Sequence, residues 1–108
     1  MTNPHKSVTH LKQLVSAARA IVTYQVGLPL GCIRVRKILI WLKPHKELVY
    51  PVFDEYLKSV SALPLSSERL RWNRDALREA DKKLEAASKR FRDRIFEACY
   101  EIIDLYGK

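Results

Sequence analysis

The sequence predicts an all-α protein, a four-helix bundle or a pair of helical hairpins with one long C-terminal helix. Three observations carry this. From 65 to 106 there is neither Gly nor Pro, while Leu70, Leu77, Leu84, Phe91, Ala98 and Leu105 recur every seven residues. The earlier apolar residues recur at three/four spacing and are punctuated by Gly27-Leu28-Pro29-Leu30-Gly31, Pro44 and Pro64. The one stretch that alternates like a strand, Ile33-Arg34-Val35-Arg36, has no second strand to pair with, and a lone strand leaves its backbone groups unpaired.

A first helix is predicted over 4–26, with Asn3 as N-cap, Pro4 at the first helical position and Gly27 as the closing residue. Its inward stripe is Val8, Leu11, Leu14, Val15, Ala18, Ile21, Val22 and Gln25. The Gly-Pro-Gly segment reads as a tight corner. A second helix follows over 31–42, with Cys32, Val35, Leu39 and Leu42 inward and Ile38 and Trp41 partly so, making an antiparallel hairpin with the first. Lys43-Pro44-His45-Lys46 is a loop. A third helix over 51–62 opens at Pro51, places Asp54 and Glu55 near its positive N-terminal end, and buries Val52, Phe53, Tyr56, Leu57 and Val60.

The fourth helix is predicted over 67–106, capped by Ser66 or Ser67. The full uninterrupted stretch from 65 would be roughly 60 Å long at 1.5 Å per residue, against the ~13 Å radius of gyration of a compact domain of this size. Its first half is charged, with Glu79–Lys83 and Glu85–Lys89 as favourably ordered pairs. Its second half carries Phe91, Ile95, Phe96, Cys99, Tyr100, Ile102, Ile103 and Tyr106, enough to demand burial on several sides. The stripe Leu70, Asn73, Leu77, Ala80, Leu84, Ala87 and Phe91 packs either against the other helices or against a second copy. In the second case Leu70, Leu77, Ala80, Leu84, Ala87 and Phe91 form the seam of a homodimer, with Asn73 setting register.

The 108 residues form a single helical domain, 1–108. The net charge of +8 is segregated. Residues 1–46 hold Lys6, Lys12, Arg19, Arg34, Arg36, Lys37, Lys43 and Lys46 and no acid, while 47–108 are balanced. Such a field either serves solubility or attracts an anionic partner: a nucleic acid, an acidic protein surface or anionic lipid. The candidate contacts are Lys6, Lys12, Arg19, Arg34, Arg36 and Lys37. Arg71, Arg74 and Arg78 join them from a ridge on the long helix that continues through Lys82, Lys89 and Arg92, interrupted by Glu85 and flanked by Asp75, Glu79 and Asp81. No charge-free window is long enough to span a bilayer. The N-terminal residues lack the pattern of an export signal, and the two cysteines are expected as reduced thiols in the cytoplasm.

The Ala18-Arg19-Ala20-Ile21 helix leading to Gln25, the apolar corner, Gly31-Cys32-Ile33-Arg34, Tyr50-Pro51-Val52-Phe53 with Tyr56, and the Arg- and Glu-rich helix after Glu68-Arg69 together resemble a family of small bacterial proteins, domain of unknown function 2489. The resemblance covers roughly 14–103. It implies a helical fold and carries over no catalytic residue. Members of that family often bear an N-terminal membrane anchor, which this sequence lacks.

No catalytic, cofactor-binding or metal-binding set is expected. His5 and His10 fall on different faces of a helix, His45 sits in a loop, and no Cys or carboxylate completes a metal-ligand spacing. Gly27 and Gly31 match neither nucleotide fingerprint. Cys32 is either a buried thiol or, near a helix start with Arg34 and Arg36, a reactive one. Function is therefore expected to be that of a non-catalytic interaction module self-associating through the long helix. The alternative is a nucleic-acid-binding protein using the acid-free N-terminal region and the Arg ridge, and a thiol enzyme at Cys32 is the remaining class.

Overall fold

The computed structural model describes residues 4–65 and 67–107, and side chains from residue 8 onward. The expected roles of Asn3, Lys6, His5 and Ser66 lie outside these. The order is α1 (Pro4–Val22), α2 (Leu28–Leu42), α3 (Pro51–Ser59), a 3-10 turn (Ser67–Arg71) and α4 (Arg74–Tyr106). The described residues contain no strand, so the chain is all-α with a long C-terminal helix, and the alternating 33–36 segment is helical.

α1 and α2 form the expected antiparallel hairpin, but its corner differs in detail. α1 stops at Val22, four residues early, in a Schellman closure. The Gln25 N–H donates to Ala20 O (2.9 Å) and the Tyr24 N–H to Ile21 O (3.2 Å). The left-handed position of this closure, where Gly is usual, is filled by Tyr24 at φ 60°. Gly27 is instead the extended N-cap of α2 (φ −66°, ψ 155°), and Leu28 and Pro29 form its first turn. Gly31 is required by close approach: a Cβ there would lie 2.6 Å from Ile21 Cγ1. Leu14, Ala18 and Ile21 of α1 and Cys32, Val35 and Leu42 of α2 are fully buried. Val8 and Gln25, expected inward, are exposed, because the sheltered face ends with the helices that cover it.

α3 is shorter than expected. Ser59 and Ser61 hydroxyls donate to the carbonyls of Tyr56 (2.7 Å) and Lys58 (2.9 Å), competing with continuation of the helix. α4 runs antiparallel to α1 and α3. Tyr24 meets Phe96 and Arg19 reaches Gly107 on one side, and Glu55 meets Arg94 and Tyr56 meets Ser88 on the other. The apolar second half of α4 (Phe91, Ile95, Ala98, Cys99, Ile102) thus closes the core from Leu14 to Val60.

The largest difference lies before α4. The expected helix from 67 is broken: the chain turns at Trp72–Asn73, and Asn73 caps α4 by accepting the Ala76 N–H at 2.7 Å. Asn73 is therefore a cap and not a register residue in a stripe. Arg69 grips Asp81 with both nitrogens (2.8 and 3.1 Å) and donates to Pro64 O. In one straight helix residues 69 and 81 would stand about 18 Å apart, so this pair requires the chain to fold back along α4. The first turns of α4, with the 3-10 turn clasped beside them, project past α1 and α2. The molecule measures 50 × 27 × 22 Å with a radius of gyration of 15.1 Å.

Candidate anionic-partner surface

Burial sorts the candidate residues. Of the seam positions, Ala80 (4% exposed), Ala87 and Phe91 (9% each) are enclosed within the single chain. Leu77 and Leu84 are half-covered. Leu70, 90% exposed, belongs to the 3-10 turn and not to α4. Leu63, Leu65 and Leu84 are each partly buried against the core, and Arg69 ties Pro64 to Asp81 of α4. These six residues do not form one continuous surface.

The basic candidates are all outward where described. Lys12 and Arg19 lie on α1, and Arg34, Arg36 and Lys37 on α2, with Lys43 at its C-cap. None of them is in an ion pair among the described residues. α2 has two adjacent outer stripes, because 3.6 residues per turn aligns positions three and four apart. One carries Leu30, Arg34, Lys37 and Trp41; the other carries Arg36, Ile40 and Lys43. Trp41 is 44% exposed and Ile40 62%. The Lys37 ammonium sits 5.7 Å from the Trp41 ring centroid. His10 of α1 lies against the same ring at 5.5 Å and 35°, with His45 a further 6.4 Å from His10. The result is a half-open indole braced on an acid-free basic helix, beside a shallow cavity of about 300 Å³ lined by Gln13, Arg34, Lys37, Ile38 and Trp41. Trp41, expected partly inward, is instead the exposed centre of this platform. The signal was present in the 34, 37, 41 spacing.

Arg71, Arg74 and Arg78 lie at the other end, around the tip of the projection, and are exposed. They do not continue the α2 surface. Glu79 pairs with Lys82 (3.4 Å) where Lys83 was expected.

Two further grooves flank the 47–50 segment. One, about 400 Å³, has an apolar floor of Leu39, Leu48, Tyr50 and Phe53, with Arg36 and Lys43 facing Glu47 and Asp54 across it. The other, about 480 Å³, lies against α4 beside Glu97, Glu101 and Tyr106. Burial, then Glu101 and Tyr106, push the Tyr50 phenol up to about 12.

Both cysteines are free and fully buried. Cys32 lies one turn inside α2, and burial, reinforced by Cys99, pushes its thiol up to about 12. Burial does the same for Cys99. A thiol so disposed keeps its proton at neutral pH, whereas the thiolate is the nucleophilic form. Among the described residues no three His, Cys, Asp or Glu side chains converge as a metal site. No helix among them is long and apolar enough to cross a membrane.

The chain matches no family model, no curated protein and no solved structure.

Proposed function

We propose that this is a non-catalytic binding module for nucleic acid, single-stranded segments in particular, and that the outer face of α2 is its contact surface. The observation that supports this is Trp41, half-exposed beside Arg34 and Lys37 on a helix that carries no acid, with Arg36 and Lys43 on its next stripe, where Glu47 and Asp54 share the bordering groove. Arginine and lysine neutralise phosphates, and an indole accepts any base by stacking. The braced ring is already ordered by His10 and Lys37, so stacking on it needs little further immobilisation.

Fluorescence anisotropy of a labelled single strand, titrated over a range of salt, tests this. With four cations engaged, log K against log salt should fall with a slope of about −3. Trp41→Ala should weaken binding by a factor of about ten, and the pair Arg34→Glu and Lys37→Glu should abolish it at moderate salt. A flat salt dependence, or indifference to both changes, removes the reading.

Self-association through α4 is the second reading. It rests on half-covered Leu77 and Leu84 of α4, since Ala80, Ala87 and Phe91 are already engaged within the chain and Leu70 lies off the helix. A salt-resistant dimer by light scattering, lost on Leu84→Glu, would favour it.

A further inference from the structure

Residues 46–50, between α2 and α3, carry neither helix nor turn. Their side chains alternate: Glu47 and Val49 are exposed, Leu48 and Tyr50 half-buried. This is the period of a β-strand, yet no strand lies beside it. Among the described residues the N–H and C=O groups of Glu47, Leu48 and Val49, and the N–H of Tyr50, meet no partner. The same stretch is the wall shared by the two grooves that flank it, so each edge of its backbone borders one of them. Alternate residues of a strand turn their N–H and C=O to the same edge, so each groove receives about half of these groups.

We infer that the groove on the α4 side takes a basic, extended peptide segment of a partner protein, which adds to 47–50 as a β-strand. The unpaired groups state what the occupant must bring, a second extended backbone, because an open edge is a template for another strand. Charge states its side chains. On a chain of net charge +8, this groove is lined by Glu47, Glu97 and Glu101 against Arg94 alone. Arg94 is already held by Glu55 at 2.6 Å, and Lys46 lies over the Tyr106 ring at 4.9 Å. With Glu55 and Lys46 counted, acids still outnumber bases by four to two. The groove on the α2 side is balanced, with Arg36 and Lys43 against Glu47 and Asp54. Buried Val52 and Ala98 give the acidic groove an apolar base for the alternate side chains of an added strand. Pro51 has no N–H to donate, so the ladder is short and the attachment reversible.

A fluorescein-labelled, end-capped peptide alternating lysine and valine, titrated into the full chain and read by anisotropy, tests this. It should bind reversibly, and its analogues N-methylated at alternate amides in one register or the other should include one that does not, since the methyl removes the donors of the ladder. In amide exchange followed by NMR, alternate amides of 47–50 should slow when the peptide is added. Glu97→Lys with Glu101→Lys should weaken the lysine peptide about tenfold. The same double variant should bind a glutamate–valine peptide more tightly than the parent chain does, a gain that loss of folding would not give. Arg34→Glu with Lys37→Glu should leave peptide affinity unchanged while removing nucleic-acid binding, so the two surfaces succeed or fail separately. The inference is overturned if amides 47–50 stay unprotected, if both N-methylated peptides bind as well as the parent, or if the charge reversal changes nothing. It is also overturned if those amides slow with protein concentration in the absence of peptide, which would make a second copy the occupant.

Discussion

Tyr56 Oη and Ser88 Oγ lie 2.6 Å apart in the core, joining α3 to α4. Tyr56 is fully buried and Ser88 nearly so, in a region otherwise apolar, with Phe91 set edge-on to the Tyr56 ring at 5.7 Å. Removing one partner strands the other in a place water does not reach. Ser88→Ala should therefore cost about 1–3 kcal/mol. Tyr56→Phe with Ser88→Ala should cost less than the sum of the two single changes. Urea unfolding of the four proteins in this cycle checks it, and simple additivity would show that the bond contributes nothing.

Gly31 and Ile21 set the spacing of α1 and α2. Alanine is the better helix former, so Gly31→Ala in isolation would stabilise by up to about 1 kcal/mol. Here the added methyl meets a fully buried Ile21 at 2.6 Å, with Val26 Cγ1 at 3.0 Å on another side. Overpacking of this kind costs about 1–3 kcal/mol, so the net change should be destabilising. Ile21→Ala should be less harmful on the Gly31→Ala background than alone, because it removes the clashing atom. Thermal melts of both single variants and the pair read the coupling.

The buried thiols make stability depend on alkaline pH. Folded Cys32 and Cys99 keep their protons up to about 12, whereas an unfolded thiol releases its proton near 9.0. The native state thus binds more protons in that interval. Its stability is complete below pH 9 and falls as pH rises toward 12, by at most about 1.4 kcal/mol per pH unit per thiol. Cys32→Ala should flatten the slope whatever it does to the absolute value. At neutral pH a disulfide reagent should label both thiols only at the rate of unfolding, and rapid labelling of Cys32 would reopen thiol chemistry.

The Arg69–Asp81 clasp should report on the projection alone. Its hydrogen bonds to Arg69 hold the Asp81 carboxyl below its usual range, so the clasp persists in mild acid and opens as pH falls through that lowered value. Asp81→Asn should speed amide exchange in 67–72 and the first turns of α4 while leaving the melting of the core nearly unchanged. Equal acceleration in α1 would mean the projection and the core unfold as one unit.

Much of this architecture was legible from residue spacing. The inward set Leu14, Val15, Ala18, Ile21, Cys32, Val35 and Leu42 follows from three/four periodicity, and the antiparallel hairpin from the Gly-Pro corner. What spacing could not supply were the places where tertiary contacts override local preference. Asn73 with Asp75 behind it is a local start signal, but the absence of Gly and Pro from 65 onward let the helix run through it, and the contact that enforces the break, Arg69 with Asp81, lies across a reversal of the chain. Likewise Gly27 was the natural closing residue for α1, yet Tyr24 takes the left-handed position while its ring rests on Phe96 at 5.7 Å. Such a conformation costs about 1–2 kcal/mol for a side chain of this kind. Of the surfaces, the charge on α2 was visible in the acid-free first 46 residues. The separation of the Arg71, Arg74 and Arg78 group from it was not, since only the direction of α4 relative to α2 puts them at opposite ends.

The overhang of α4 also changes how the molecule moves through a column or a rotor. A radius of gyration of 15.1 Å against ~13 Å for a compact chain of this length means more friction per unit mass. A single copy will elute ahead of globular standards of its own weight and sediment more slowly than they do. An apparent mass somewhat above that of the chain by size exclusion is thus expected of one elongated copy, and a shape-independent mass distinguishes this from a dimer.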